Sequence, residues 1–368
     1  MTTIFDLAQE MSQWIAQRWK SECYDQPAFS EIAVEAVETF DPTTSHSFED
    51  IVGDVMQTTA RPSQAHLDSG FGEPAITLFH HGSFYVDILF WNHVSTTLHQ
   101  HGFNGAFQVL SGSSLEAEFT FARRTRLAGH FLLGELQFES MRRMEAGEIG
   151  RISAGPDSIH SVLHLARPTV SLVVRTARDM QQQPQYDYYR PHAAVDPLFI
   201  DPLLHCRLQL LDTLIQTEHK QLPKTVCDLV AQSDAYSTYC VLRACLQRLD
   251  PQCEMFIRLI EFARAVHGDV IDEFQAVFAE YERERRLLNH FEHSHSESTR
   301  EILAAVYSAG DKASLAAFAE QRYGADGAIS IVQGLRDAGP GCLEEAQQDP
   351  RTKDLLLHAS PEPSAALV

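Results

Sequence analysis

The chain has 368 residues, with 29 Lys and Arg against 50 Asp and Glu, a formal net charge of −21. Its 44% hydrophobic and 21% charged residues are those of an ordinary globular protein, long enough for two domains with sizeable cores. The acidic balance opposes nucleic-acid binding and docking to anionic membranes, which both require a basic footprint.

No apolar run approaches the roughly 20 residues of a membrane span. The N-terminus, MTTIFDLAQEMSQWIAQRWKSE, is amphipathic and carries acids, without a cationic start or a long apolar stretch. It reads as the first helix of a cytosolic protein. The seven cysteines are odd in number and contain no CxxC pair, which points to reduced core thiols and a cytoplasmic location.

Residues 3–60 carry a helical period, with Phe5, Leu7, Met11, Trp14, Ile15 and Trp19 on one face. After Pro27 it continues through Ile32, Val34, Ala36 and Val37. From Ala75 the period changes to two. Segments such as SFYVDILFW, AFQVLSG, SLEAEFTF and TVSLVVRT are short, β-rich and bounded by Gly, Pro, Asn or Ser. Eight or nine of them in about a hundred residues predict a sandwich or small barrel. Residues 179–197 are polar and Pro-bearing, a linker or a strap over the barrel.

From Leu198 the pattern is helical almost to the end. Ser298 with Glu301 has capping-box spacing, Asp311 sits where an N-cap belongs, and Gly268, Gly310 and Gly324 sit where C-caps belong. The predicted class is α+β: N-terminal helices, an antiparallel β-barrel and a C-terminal all-helical domain. The predicted parts are a helical segment at 1–74 packed on the barrel, the barrel with its site at 75–178, and the linker at 179–197. An all-α domain at 198–358 and a flexible tail at 359–368 complete the chain.

Chemistry concentrates in Thr96 to Gly112, TTLHQHGFNGAFQVLSG. His99 and His101 lie two apart, so on a strand both imidazoles face one side, where they can share a metal. The competing reading is a pair of hydrogen-bonded core histidines. A third candidate, His160, opens the apolar stretch IHSVLHLA. His164, four further on, faces the same way as a hydrogen-bond partner, a proton shuttle or a satisfied core histidine. Arg175 ends an apolar strand. Turned inward, its guanidinium would require an anion such as a substrate carboxylate; turned outward, it is simply solvated.

The HxH pair, the glycine turn, the apolar strand, Gly112 eleven residues after His101 and the later Pro156-x-x-x-His160 resemble the signature motifs of the cupin superfamily. The resemblance covers about Ala75 to Thr176. Most cupins carry a glutamate where this chain has Gly105 or Ala106. That departure resembles the cysteine-dioxygenase-like, three-histidine thiol dioxygenase branch. The resemblance implies a cupin barrel in which His99, His101 and His160 bind Fe(2+). It also makes Ser171 the serine of a Ser-His-Tyr relay, whose other two places hold Val173 and Arg175. No cysteine follows the HxH pair, so the thioether cross-link of the animal enzymes cannot form.

Three neutral imidazoles leave the charge of Fe(2+) uncompensated and coordination positions open for a chelating anion and dioxygen. Imidazole suits zinc, copper and nickel as well. The expected activity is that of a mononuclear non-haem iron oxygenase acting on a small anionic substrate, thiol- or amino-acid-derived. Arg175, His164 and Ser171 are the candidate catalytic residues. The alternatives are a three-histidine oxygenase or lyase on a carbon substrate, and a non-catalytic metal- or ligand-binding module with a helical partner-binding domain. The helical half shows no catalytic motif and fits an oligomer interface such as a homodimer, a lid, or a carrier-protein contact.

Overall fold

The computed structural model describes residues 2–59, 62–64, 71–92, 96–178, 184–339, 341–349, 352–353 and 356. Helix α1 (Ile4–Ser21) starts at a capping box in which the Thr3 hydroxyl accepts from the Asp6 amide and Asp6 accepts from the Thr3 amide. Helix α2 spans Ala28–Phe40. Helix α3 (Phe48–Gln57) opens on a second capping box, Ser47 with Asp50. The strands follow: β1 (Ala75–His80), β2 (Phe84–Trp91), β3 (Thr96–Gln100) and β4 (Gly105–Ser111). The long pair β5 (Ser113–Ala128) and β6 (Phe131–Glu145) comes next, then β7 (Ile149–Ile152), β8 (Ile159–His164) and β9 (Thr169–Thr176). Two short strands, β10 (Asp187–Tyr189) and β11 (Ala193–Val195), pair within the segment expected to be a linker.

Helices α4 (Pro202–Gln216), α5 (Leu222–Ala231), α6 (Ala235–Leu246), α7 (Glu254–His267) and α8 (Val270–His293) come after the strands. The last are α9 (Glu297–Ser308), α10 (Lys312–Tyr323), α11 (Gly327–Asp337) and α12 (Cys342–Gln348). Asp311 caps α10, and Gly268 and Gly324 take positive φ at C-caps, as the sequence suggests. The cap of α9 is Ser296, not Ser298, and Gly310 lies beyond the C-cap Ala309. A Cβ on Gly310 would come within 2.3 Å of Phe138, so close packing rather than capping requires a glycine there.

One antiparallel sheet has the order β1-β2-β9-β4-β7, and the remaining strands run β10-β11-β6-β5-β8-β3. The predicted class holds: N-terminal helices, antiparallel sheets and a C-terminal helical region. Alternation along the strands sorts the side chains. In the first sheet Phe84, Val86, Ile88, Ala106, Leu172 and Val174 join one core with α1 and α2. The opposite row, Leu89, Trp91, Phe107, Val109 and Val173, forms the interior with Ile152 and Val162. In the second sheet Leu115, Leu163 and Leu165 turn outward against Leu287, Phe291 and α9 to α12.

The chain divides into two compact units, and not at 179–197. One comprises Met1–Thr120, Gln137–Gln185 and Arg286–Val368; the other comprises Phe121–Leu136 and Tyr186–Arg285. The physical reason is the apolar outer face of the second sheet. It needs a cover, and α9, whose residues Thr299 to Ser308 are all buried, supplies one within the first unit. The second unit has its own core, centred on Phe131, Tyr239, Phe274 and Val226. Among the described residues no helix is long and apolar enough to cross a membrane.

Candidate metal centre

Strand β3 carries His99 opposite His160 of β8 in the antiparallel register. His101 lies just past the end of β3, bridged to Ala154. The three ring centroids are 4.6 to 5.0 Å apart, and one ligand atom from each ring lies within 4.8 Å of the others. Each side chain is buried. Among the described residues no other group of three His, Cys, Asp or Glu side chains converges in this way.

The hydrogen bonds set the protons. His99 Nδ1 donates to the Thr97 carbonyl at 2.7 Å, which leaves Nε2 as a lone pair, buried and without a partner. His160 Nδ1 lies 3.0 Å from Glu116 Oε1 and donates to it, so its Nε2 also presents a lone pair. That Nε2 is 2.9 Å from His101 Nε2. Two cis ligands each about 2.1 Å from a metal would be separated by about 3.0 Å, so the pair is spaced as an edge of a coordination shell. Burial pushes the pKa of His99 down to about 3, helped by His160. Burial, then His99, His160 and Arg175, hold His101 well below the ordinary histidine range. Both rings are neutral at pH 7, the form that ligates. The donor set fits a first-row divalent metal.

Glu116 is the residue that sequence reasoning missed. Burial alone would raise its pKa, but the hydrogen bond from His160 and the charge of Arg142 outweigh that and keep it ionised. Arg142 donates from Nε and Nη2 to Glu116 Oε2 at 3.0 and 2.8 Å. The resulting carboxylate–histidine pair fixes the ring tautomer. In the sequence Glu116 and Glu118 have the same parity and nothing separates them. In the structure Glu118 is exposed beside Ser140, whereas Glu116 is buried.

The positions where a cupin glutamate is expected cannot supply a ligand. A Cβ on Gly105 would lie 2.1 Å from the Val174 carbonyl oxygen of β9, closer than any side chain allows. Ala106 faces the opposite way, into the core shared with α1 and α2. Lack of a carboxylate ligand there is therefore built into the pairing of β4 with β9.

A cavity of about 50 Å³, room for a few waters, adjoins the three histidines. Phe103, Phe107, Val162, Val173, Leu89 and Trp91 make most of its wall, and His164 and Ser171 also line it. His164 stacks on Trp91 with centroids 4.4 Å apart, and its Nδ1 is 3.0 Å from Ser114 Oγ. Burial pushes its pKa down to about 3.

Arg175 shares the inward row with Ser171 but is not among the residues lining the cavity. Its Nε is 3.4 Å from Asp87 Oδ2, and its guanidinium lies over Tyr85 and Phe103 at 4.5 and 5.1 Å. The anion that an inward guanidinium requires is thus supplied by the chain itself, from β2. His130 stacks on Phe199 in the second unit, and His93 lies outside the described residues.

No family model matches the chain, and no curated protein matches its sequence. Solved structures resemble it in part. A hydroquinone 1,2-dioxygenase complexed with Cd2+ and 4-hydroxybenzonitrile is 13% identical over 27% of this chain, with a TM-score of 0.22. The DMSP lyase DddQ from Ruegeria pomeroyi is 18% identical over 34% of this chain, with a TM-score of 0.22. A recombinant oxalate oxidase in complex with glycolate is 14% identical over 46%, with a TM-score of 0.23. The matches span 62%, 59% and 78% of those chains, respectively.

Proposed function

We propose that this chain is a mononuclear non-haem iron(II) oxygenase that takes dioxygen and a small anionic substrate, thiol- or amino-acid-derived. The charge balance around the three imidazoles carries the reading. His99 and His101 are held neutral, as is His164 beside them on the cavity wall. The two buried carboxylates of this region are already matched, Glu116 by Arg142 and Asp87 by Arg175. A divalent ion in this site is therefore left without a counter-charge, and an anionic chelator is the ligand that offsets it.

In this reading His99, His101 and His160 hold the metal, and bound iron(II) supplies the dioxygen chemistry. The protein's residues do the rest. Glu116 keeps the proton on His160 Nδ1 and so keeps Nε2 available. Thr97 does the same for His99 through its carbonyl. Phe103, Phe107, Val162 and Val173 give the cavity an apolar wall, which strengthens each polar contact inside it. Thr96, Ser171 and His164 are polar residues that also line it.

The test is oxygen consumption by the iron-loaded protein with a panel of small thiol- and amino-bearing carboxylic acids. The expected result is uptake that requires iron and stops on chelation. Iron bound without oxygen uptake, with substrate cleaved non-oxidatively, would replace the oxygenase reading by the lyase one. Failure to bind any divalent metal would remove both.

A further inference from the structure

Two residues that line the cavity each bury a nitrogen with no hydrogen-bond partner among the described residues: His164 Nε2 and Trp91 Nε1. Neither belongs to the three-histidine cluster. Trp91 is 3% and His164 is 6% exposed, so water does not satisfy either group from outside. Buried polar groups are nearly always paired, and two orphans on adjoining rings call for an explanation.

The protons can be placed. The indole nitrogen is always a donor. For His164, the contact between Nδ1 and Ser114 Oγ can run in either direction. If Nδ1 donated, the serine hydrogen would have no acceptor and Nε2 would be a second unsatisfied atom, because Ser114 Oγ makes no other hydrogen bond among the described residues. If the serine donates, only Nε2–H is left over. The second arrangement leaves fewer buried groups unpaired, so Nε2 carries the proton. Two N–H donors then stand on one stacked aromatic wall whose rings are 4.4 Å apart and 17° from parallel.

We infer that Trp91 and His164 form the second anchor of the substrate, a pair of neutral donors that receives a carboxylate oxygen while the other end of the molecule meets the metal. The inference rests on the metal reading above and adds to it the chemical class of the tail. A carboxylate fits because the cavity wall contains no Lys or Arg among the described residues and the metal supplies the balancing charge. Two donors also explain how an anion is held between Leu89, Val173 and Phe107 without a cation beside it. Arg175 is not needed for this contact, since it is engaged by Asp87.

The test uses the cobalt(II)-loaded protein and its visible absorption, titrated with two probes. Mercaptoacetate offers a thiolate head and a carboxylate tail; ethanethiol offers the head alone. Wild type should bind mercaptoacetate at least about tenfold more tightly than ethanethiol, the weight of a hydrogen bond to a charged group. Trp91→Phe and His164→Phe should each remove about tenfold from mercaptoacetate binding and leave ethanethiol unchanged. His164→Gln, which keeps a donor, should recover most of the loss, and this variant separates donor loss from misfolding. Equal weakening of both probes, or no preference in wild type, would overturn the anchor while leaving the metal site standing. A protein that takes up no cobalt would overturn the metal reading and the anchor together.

Discussion

Glu116→Gln removes one charge from the centre and almost no volume. The side chain is 3% exposed and its Oε1 accepts from His160 Nδ1 at 3.0 Å, so that bond is charge-assisted and shielded from water. A charge-assisted hydrogen bond contributes about 1.5–3 kcal/mol and a neutral one about 0.5–1.5. The difference of about 1–1.5 kcal/mol corresponds to about tenfold in metal affinity. Glu116→Ala removes the acceptor altogether, strands the His160 N–H, and should cost up to about a hundredfold. Arg142 is the internal control. Its side chain is 46% exposed, so solvent screens the ion pair and Arg142→Met should change affinity by no more than about fivefold, equivalent to about 1 kcal/mol. The assay is competition with a chromophoric chelator, accompanied by melting of the metal-free protein to show that each variant folds. Wild-type metal affinity in both Glu116 variants, or an Arg142→Met effect as large as that of Glu116→Ala, would refute the role assigned to the carboxylate.

Changing His99, His101 or His160 to Ala should reduce metal content from about one equivalent to background with the fold intact. Elemental analysis showing full occupancy in any of the three variants would contradict the ligand assignment. Arg175→Met removes the guanidinium beside the buried Asp87 carboxylate and should destabilise by about 3–5 kcal/mol; adding Asp87→Asn should restore part of that, read by chemical denaturation. An uncompensated loss of turnover at unchanged stability would instead return Arg175 to substrate binding. The metal-free protein should lose stability on acidification below about pH 6.5. His99 and His164 have folded pKa values near 3, below the unfolded value of about 6.5, so in that window the unfolded chain binds protons that the folded one refuses. Each contributes a slope of up to about 1.4 kcal/mol per pH unit, and a melting temperature flat from pH 6.5 to 5 would show that the rings are not buried neutral.

The sequence by itself determined what short-range periodicity can encode. Period two from Ala75 to Thr176 defined the strands, and HxH spacing placed His99 and His101 on one side because alternate strand residues share a face. What only the tertiary structure decided were matters of strand pairing and packing. Glu116 and Glu118 have equal parity, and only the packed structure decides that Glu116 is buried with its carboxylate on His160, whereas Glu118, the register partner of His160, is exposed beside Ser140. Gly105 reads as a turn glycine, yet its close approach to the Val174 carbonyl is a property of the register between β4 and β9. Arg175 shares its strand parity with Ser171 and Val173, but Asp87, 88 residues earlier, reaches it only because β2 pairs with β9. The division of the helical half between two units was likewise hidden. Each helix shows an apolar stripe, but a stripe does not say which surface it will cover, and the outer face of the second sheet claimed α9 to α12.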